Sequence, residues 1–425
     1  MHSELINTTH CEFFAPLYQA LDFSLSTRNC PEYSDASHVI SSVSRVIENV
    51  ESGREWTQQA VTQLGRDAGV GEFFDALKSS RRTEMVASIA ADVAAQAKAG
   101  TQNTHDPLSA HEELNGFEVF ASDGHTLAAS AHEEMIEGKI RPHTHIFSLS
   151  LRGHYMMHLE LCTPELGKKK EHEIKTLQRI KGSALRMGAP KGMKVIHCYD
   201  PAVIGYQYWK NWKQGNGVYI ITIEKSNSVL ERIKNIDFEV SDPRNNGVLS
   251  DESIISSEGI VLRRVTYVDP VTNKKYRFLT NEMTLPPGII AFLYKLRWDI
   301  EKSFDQSKNK FHEKKAWAKS NNSKKQQANF ITIAHNLCIL LERKLQAEEG
   351  IVDQKSINKR LTRKKQEMAQ AKENGNQFNA LVQSCERITQ RSLQFIRWLR
   401  GALRIKTAWS DAIDQLRPLM LKYLS

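Results

Sequence analysis

At 425 residues, with a formal net charge of +9 from 58 Lys+Arg against 49 Asp+Glu, the chain can hold two or three domains and is moderately basic. No apolar run reaches about 18 residues, so no membrane span is expected, and the start "MHSELINTTHCEFF" lacks a basic-then-apolar leader pattern. Cys11, Cys30, Cys162, Cys198, Cys338 and Cys385 form no CxxC pair, which argues against a disulfide scaffold and reads as reduced, mostly buried cytosolic thiols.

Residues 1–105 are expected to be helical. "HVISSVSRVIENVESGREW" and "VGEFFDALKSSRRTEMVASIAADVAAQAKA" space their apolar residues at three to four. The basic "SSRR" break between two helical stretches fits a helix-turn-helix reader of DNA, and equally a small bundle. The polar, turn-rich "KAGTQNTHDPLS" (98–109) marks a boundary.

The period then changes. "GFEVFASDGHT" (116–126) predicts a short strand ending in an Asp-Gly turn, and "HIFSLSLRGHYMMHLELC" (145–162) predicts two strands joined at Arg152-Gly153. A helix over 167–185, a strand "MKVIHCYD" (193–200), a helix over 202–214 and a strand "GVYIITIEK" (217–225) follow. This order predicts a mixed α/β sheet with helices packed on it. Residues 226–285 read as a β-rich insertion. "TLPPGII" (284–290) starts a helix, with its prolines before or in the first turn. Another apolar helix spans 326–345, and the tail 350–425 is helical with the basic "KRLTRKK" (359–365) near its start. That cluster and the lysines of 302–325 suit a polyanion, nucleic acid being the commonest, although each alone could be a solvated face. His143/His145 and His154/His158 have neither a cysteine pair nor an HExxH motif beside them, and read as structural or surface histidines rather than zinc ligands.

The helix after the insertion carries "YKLRWDIEKSFDQSK" (294–308). At about 100° per residue, Tyr294, Arg297, Glu301 and Lys308 fall within an arc of about 60°, one narrow polar stripe. Such a stripe on its own could be a solvated face with i,i+4 ion pairs. Three carboxylates give it another meaning. Asp123 ends the first predicted strand, Asp200 ends the fourth, and Glu301 lies on the stripe. If the first and fourth strands are neighbours, both aspartates face one crevice, and a helix crossing that end brings Glu301 to it. Three hard oxygen ligands suit Mg²⁺ or Mn²⁺. Two such ions about 3.5–4 Å apart activate a water and stabilise the leaving oxygen in phosphodiester cleavage. Separately, each aspartate could be a turn former or helix cap.

With these residues in place, the sequence resembles the DDE transposases of the insertion-sequence-4 group over roughly 110–345. The most specific part is Y-x2-R-x3-E-x6-K, met by Tyr294, Arg297, Glu301 and Lys308; "ASDGHT" and "VIHCYDPAVIGYQYW" are similar to the two aspartate motifs. The resemblance implies an RNase H-like catalytic domain at 110–345 with a β insertion at about 226–285, and Asp123, Asp200 and Glu301 as catalytic, metal-binding acids. It also implies cut-and-paste transposition with Mg²⁺ or Mn²⁺, two ions in all, on DNA as partner: the terminal inverted repeats and a target. Arg297 and Lys308 can hold phosphates, Tyr294 can donate to a phosphate oxygen, and Trp298 can stack on a base or simply pack. Residues 1–105 would bind the element's ends and 350–425 would contact a second copy in a homodimer or the DNA, in a bacterial cytoplasmic, nucleoid-associated protein. His125 departs from the pattern, where a hydroxyl or small residue is more usual. Asp305, on the same face, is a lesser rival to Glu301. A catalytically silent DNA-binding descendant and a metal-dependent nuclease that cuts without joining are the alternative functions.

Overall fold

Stiff β-branched residues favour extended backbone, and several of the strands, such as VYIITI and VLRRVTYV, form where they cluster. In the computed structural model, which describes residues 7–24, 33–64, 69–101, 106–133, 135, 140–163, 171–311, 313–378, 381 and 391–421, nine strands make one sheet. They are β1 (Phe117–Leu127), β2 (His143–Ser150), β3 (Met156–Leu161), β4 (Lys194–Cys198), β5 (Val218–Ile223), β6 (Leu230–Asn235), β7 (Val248–Ser256), β8 (Val261–Val268) and β9 (Lys275–Thr280). Their order across the sheet is β3-β2-β1-β4-β5-β9-β8-β7-β6. β1, β4 and β5 run parallel and the other pairs antiparallel. This is the mixed α/β architecture expected, consistent with an RNase H-like fold.

The strand period of two sorts side chains into two cores. On β1, Val119 and Ala121 join Ile196, Cys198 and Ile221 on one face, while Phe120 joins Val195, Val218 and Ile220 on the other. The first face is covered by helices from both ends of the chain: α1 (Thr9–Ser24), α2 (Asp35–Glu48), α3 (Gly53–Leu64), α4 (Val70–Lys78) and α5 (Ser80–Ala99) early, then α10 (Asn321–Glu349). On the second face lie α6 (Glu173–Arg179) and α7 (Tyr206–Asn216), which contributes the buried Trp209 and Trp212. α8 (Pro287–Leu296) and α9 (Trp298–Asn309) connect the sheet to α10, and α11 (Gln354–Glu373), α12 (Leu393–Arg404) and α13 (Trp409–Leu421) follow among the described residues. α1 is tied to the last helices by backbone bonds, Thr9 N–H to Thr407 O (2.9 Å) and Trp409 N–H to Asn7 O (2.8 Å).

Several local expectations change. Asp123-Gly124 is not a turn: β1 runs on through both, pairing Asp123 with Phe147 and Gly124 with Ile146, because β2 is long enough to continue the ladder past the end of β4. The helix expected over 167–185 is shorter, Glu173–Arg179 followed by a 3₁₀ turn at Ala184–Arg186; residues 167–170 lie outside the described ones. The helix expected from 202 begins at Tyr206, after a 3₁₀ turn over Pro201–Val203 and Gly205. The β-rich insertion is continuous with the main sheet, since β9 pairs antiparallel with β5. The helix of the polar stripe is broken at Arg297. Arg297 N–H bonds Tyr294 O (3.0 Å) and Ile300 N–H bonds Arg297 O (3.1 Å), both three-residue steps that tighten the turn.

Among the described cysteines, Cys162, Cys198 and Cys338 are buried and Cys11 is exposed, all as thiols; Cys30 and Cys385 lie outside the described residues. No described helix is long and apolar enough to cross a membrane.

Candidate active site

The register of the two parallel strands fixes where the aspartates meet. Ala121 of β1 pairs with Cys198 of β4, the last pair of that ladder. Two residues further along stand Asp123, still within β1, and Asp200, just past the end of β4. Asp200 also caps the 3₁₀ turn that follows, accepting from Ala202 N–H at 2.8 Å, so one carboxylate ends the strand and starts the next segment. Asp123 accepts from Gly124 N–H at 2.8 Å. Burial pushes its carboxyl up to about 6; the Arg297 guanidinium opposes the shift, and the charges of Asp200 and Glu301 add to it.

α9 lies against β1 and β2 and presents the stripe to this corner. His125 holds it there: its buried ring stacks on Phe304 at 4.5 Å, and burial, then the Lys308 charge, depresses its pKa to about 3. Arg297, at the break between α8 and α9, donates through Nη1 to Asp123 Oδ2 (2.8 Å) and through Nη2 to Glu301 Oε1 (2.9 Å). Its guanidinium is 8 % exposed, while the Glu301 side chain keeps 35 %, so one buried cation bridges a strand acid to a more open helix acid. Burial opposes the Arg297 charge, but Tyr294, Asp123 and Glu301 more than offset it and raise its pKa.

Sequence reasoning missed a further acid. Gly124, next to Asp123, faces the opposite side of the sheet, where Glu173 opens α6. A Cβ on residue 124 would sit 2.2 Å from Glu173 Oε1, so glycine there admits the carboxylate. Ligand atoms of Asp123, Glu173 and Asp200 all lie within 4.8 Å of one another, the one group of this kind among the described residues. An all-carboxylate donor set fits Mg²⁺ or Mn²⁺. Glu173 carries no flanking motif; only its place at the start of the helix after β3 could have drawn attention to it.

The remaining stripe residues divide. Tyr294 is 6 % exposed, turned inward by the helix break onto Phe278 (ring centroids 5.1 Å apart), with the Arg297 guanidinium 5.6 Å from its ring. Burial pushes its hydroxyl up to about 12, opposed by the Arg297 charge. Trp298 is 56 % exposed. Lys308 is half-buried, and Asp305, exposed, accepts from Asn309 Nδ2 at 2.5 Å. The histidines sit in the sheet. His145 Nδ1 lies 3.1 Å from His158 Nε2, and burial lowers the pKa of both and of His143, so all three are neutral packing groups. The arginines of "SSRR" turn inward, Arg81 and Arg82 both pairing with the buried Asp35 (2.7 and 2.9 Å). Lys324 and Lys325 pair with Glu133 and Glu160, whereas Lys314, Lys315 and Lys319 are exposed, as are Lys359, Arg363 and Lys365 on α11.

No curated protein matches the chain. Residues 166–337 match the family model described as the transposase DDE domain, a span that takes in Glu173, Asp200, Arg297, Glu301 and Lys308 while Asp123 precedes it. The matched stretch, similar to a transposase DDE domain, thus holds Glu173, Asp200 and the arginine-linked Glu301, and Asp123 joins them from within β1.

Proposed function

We propose that the chain is a cut-and-paste DNA transposase of the insertion-sequence-4 group, with Asp123, Asp200 and Glu301 as its catalytic carboxylates. The observation that carries the reading is the register that sets Asp123 beside Asp200, with Glu301 one arginine away. Asp123, Asp200 and Glu301 would hold two Mg²⁺ or Mn²⁺ ions, which supply Lewis acidity and lower the pKa of an attacking water or 3′-hydroxyl. The protein's own groups orient the DNA. Arg297 offers a planar fork and Lys308 a point charge for phosphate oxygens beside the acids. Tyr294 backs the Arg297 guanidinium from below and fixes its direction. Trp298, exposed beside Arg297, is placed to stack on a base near the cut.

The helices of 1–105 bind the terminal inverted repeats, and the exposed basic residues of 314–319 and α11 guide the phosphate backbone. A homodimer brings the two ends together, with 350–425 as the contact between copies, in a cytoplasmic, nucleoid-associated setting. The test is a nicking assay on the element's own ends. Glu301→Gln keeps end binding, read by gel shift, and loses nicking in Mg²⁺; unimpaired nicking removes Glu301 from the site. Pre-cut ends that yield no joined product would make the protein a nuclease.

A further inference from the structure

The cluster of three acids and the motif glutamate do not coincide. Asp123 and Asp200 share their corner with Glu173, whose carboxylate comes through the gap left by Gly124. Glu301 is held from the other side by Arg297, which occupies it and Asp123 together. A buried group beside the cluster points the same way. Tyr199 is 1 % exposed and its hydroxyl, beside Ser122, makes no well-formed hydrogen bond among the described residues, since Ser122 Oγ is engaged by Ser148 (2.7 Å) and His197 (2.8 Å). That leaves a donor within the electrostatic reach of Glu173 and Asp123.

We propose that Glu173, not Glu301, is the third carboxylate ligand of the divalent ion in the DNA-free protein, and that Arg297 keeps Glu301 out of the site until DNA phosphate draws the guanidinium away. This rests on the functional reading above and adds a loading order to it. The first ion binds to Asp123, Asp200 and Glu173 before DNA arrives. Arg297 then exchanges carboxylates for phosphate, a partner its fork fits equally well. Glu301, more exposed than Asp123, is released to the crevice. Arg297 then neutralises the incoming phosphate, and the two acids it leaves, Asp123 and Glu301, are left to the divalent cation.

The experiment is Mn²⁺ binding to the full chain without DNA, counted by the electron paramagnetic resonance signal of free Mn²⁺. Glu173→Gln is expected to weaken binding by about tenfold or more, in the range seen when a metal's supporting groups are lost, while Glu301→Gln changes it by less than about twofold. Gly124→Ala is a second route, because its Cβ must push Glu173 Oε1 away without removing any carboxylate; it too is expected to weaken binding. Thermal unfolding without Mn²⁺ checks that each variant is folded. If Asp123→Asn weakens binding but Glu173→Gln and Gly124→Ala do not, or if Glu301→Gln weakens it as much as Glu173→Gln, the loading order is wrong and the catalytic reading stands. If Asp123→Asn and Asp200→Asn both bind Mn²⁺ as the wild type does, the metal site itself is misplaced and both readings fall.

Discussion

Arg297 is central to the candidate site, because among the described residues it is the cation that joins Asp123 to Glu301. Replacing it by methionine leaves the mostly buried Asp123 without its cation. Breaking a fully buried pair costs about 3–5 kcal/mol; with Glu301 partly open to water, a loss of about 2–3 kcal/mol is expected, read by urea unfolding without metal. An unchanged midpoint would mean that the bridge contributes nothing. Trp298 behaves oppositely. At 56 % exposure, its replacement by alanine should leave stability within about 0.5 kcal/mol, yet weaken end binding by about 1–3 kcal/mol if the ring stacks on a base. Titration of labelled end DNA separates stacking from packing. At this scale the meeting of Asp123 with Asp200, and of both with a helix carrying Glu301, was legible from residue type and strand order, although Asp123 lies inside β1 and not at its end. The burial of Tyr294 against Phe278 was not legible, because a helical wheel assumes one uniform rotation and the three-residue steps at Arg297 break it. Glu173 was hidden for another reason: its approach depends on a missing Cβ across the sheet.

Between α9 and α10 runs a short strap that buries Phe311, Glu313 and Ala316 while leaving Lys314, Lys315 and Lys319 exposed. It is fastened to β1 by Ala128 N–H to Lys314 O (2.9 Å) and Ala316 N–H to Ala128 O (2.8 Å), and to α10 by Trp317 N–H to Gln327 Oε1 (2.9 Å). Glu313 accepts from Gln327 Nε2 at 2.6 Å, and the buried Arg45 guanidinium lies 4.1 Å from the Trp317 ring. Burial pushes the Glu313 carboxyl up from 4.5 to about 7, with the Arg45 charge and the Gln327 bond opposing. A folded pKa above the unfolded one gives stability that is fully present below about 4.5 and is lost as pH rises through about 7. The thermal midpoint should therefore fall between pH 5 and about 8, and Glu313→Gln should flatten that fall; parallel curves would contradict it. The elements themselves were readable where β-branched residues run together, as in VYIITI of β5. Their joins were less so. The return of β9 to β5 and the continuation of β1 past Asp123 depend on pairing between distant segments, which no local period encodes.

Over the whole molecule, two neighbouring parallel strands set Asp123 beside Asp200, helices from both chain termini cover one face of the sheet, and the stripe helix closes the corner. The mixed sheet was legible from the order of elements, whereas the shared core of the N-terminal helices, α10 and the last helices was not, since sequence distance hides it. The central claim is that this corner cuts and joins DNA with divalent metal. The direct measurement is cleavage and strand transfer on the element's own ends, comparing wild type with Asp200→Asn in Mg²⁺ and in chelator. The account predicts cut and joined product from the wild type with Mg²⁺ alone, and a rate at least about a hundredfold lower for Asp200→Asn, since lost metal stabilisation is worth several kcal/mol. Equal product in chelator, or from Asp200→Asn, would contradict it.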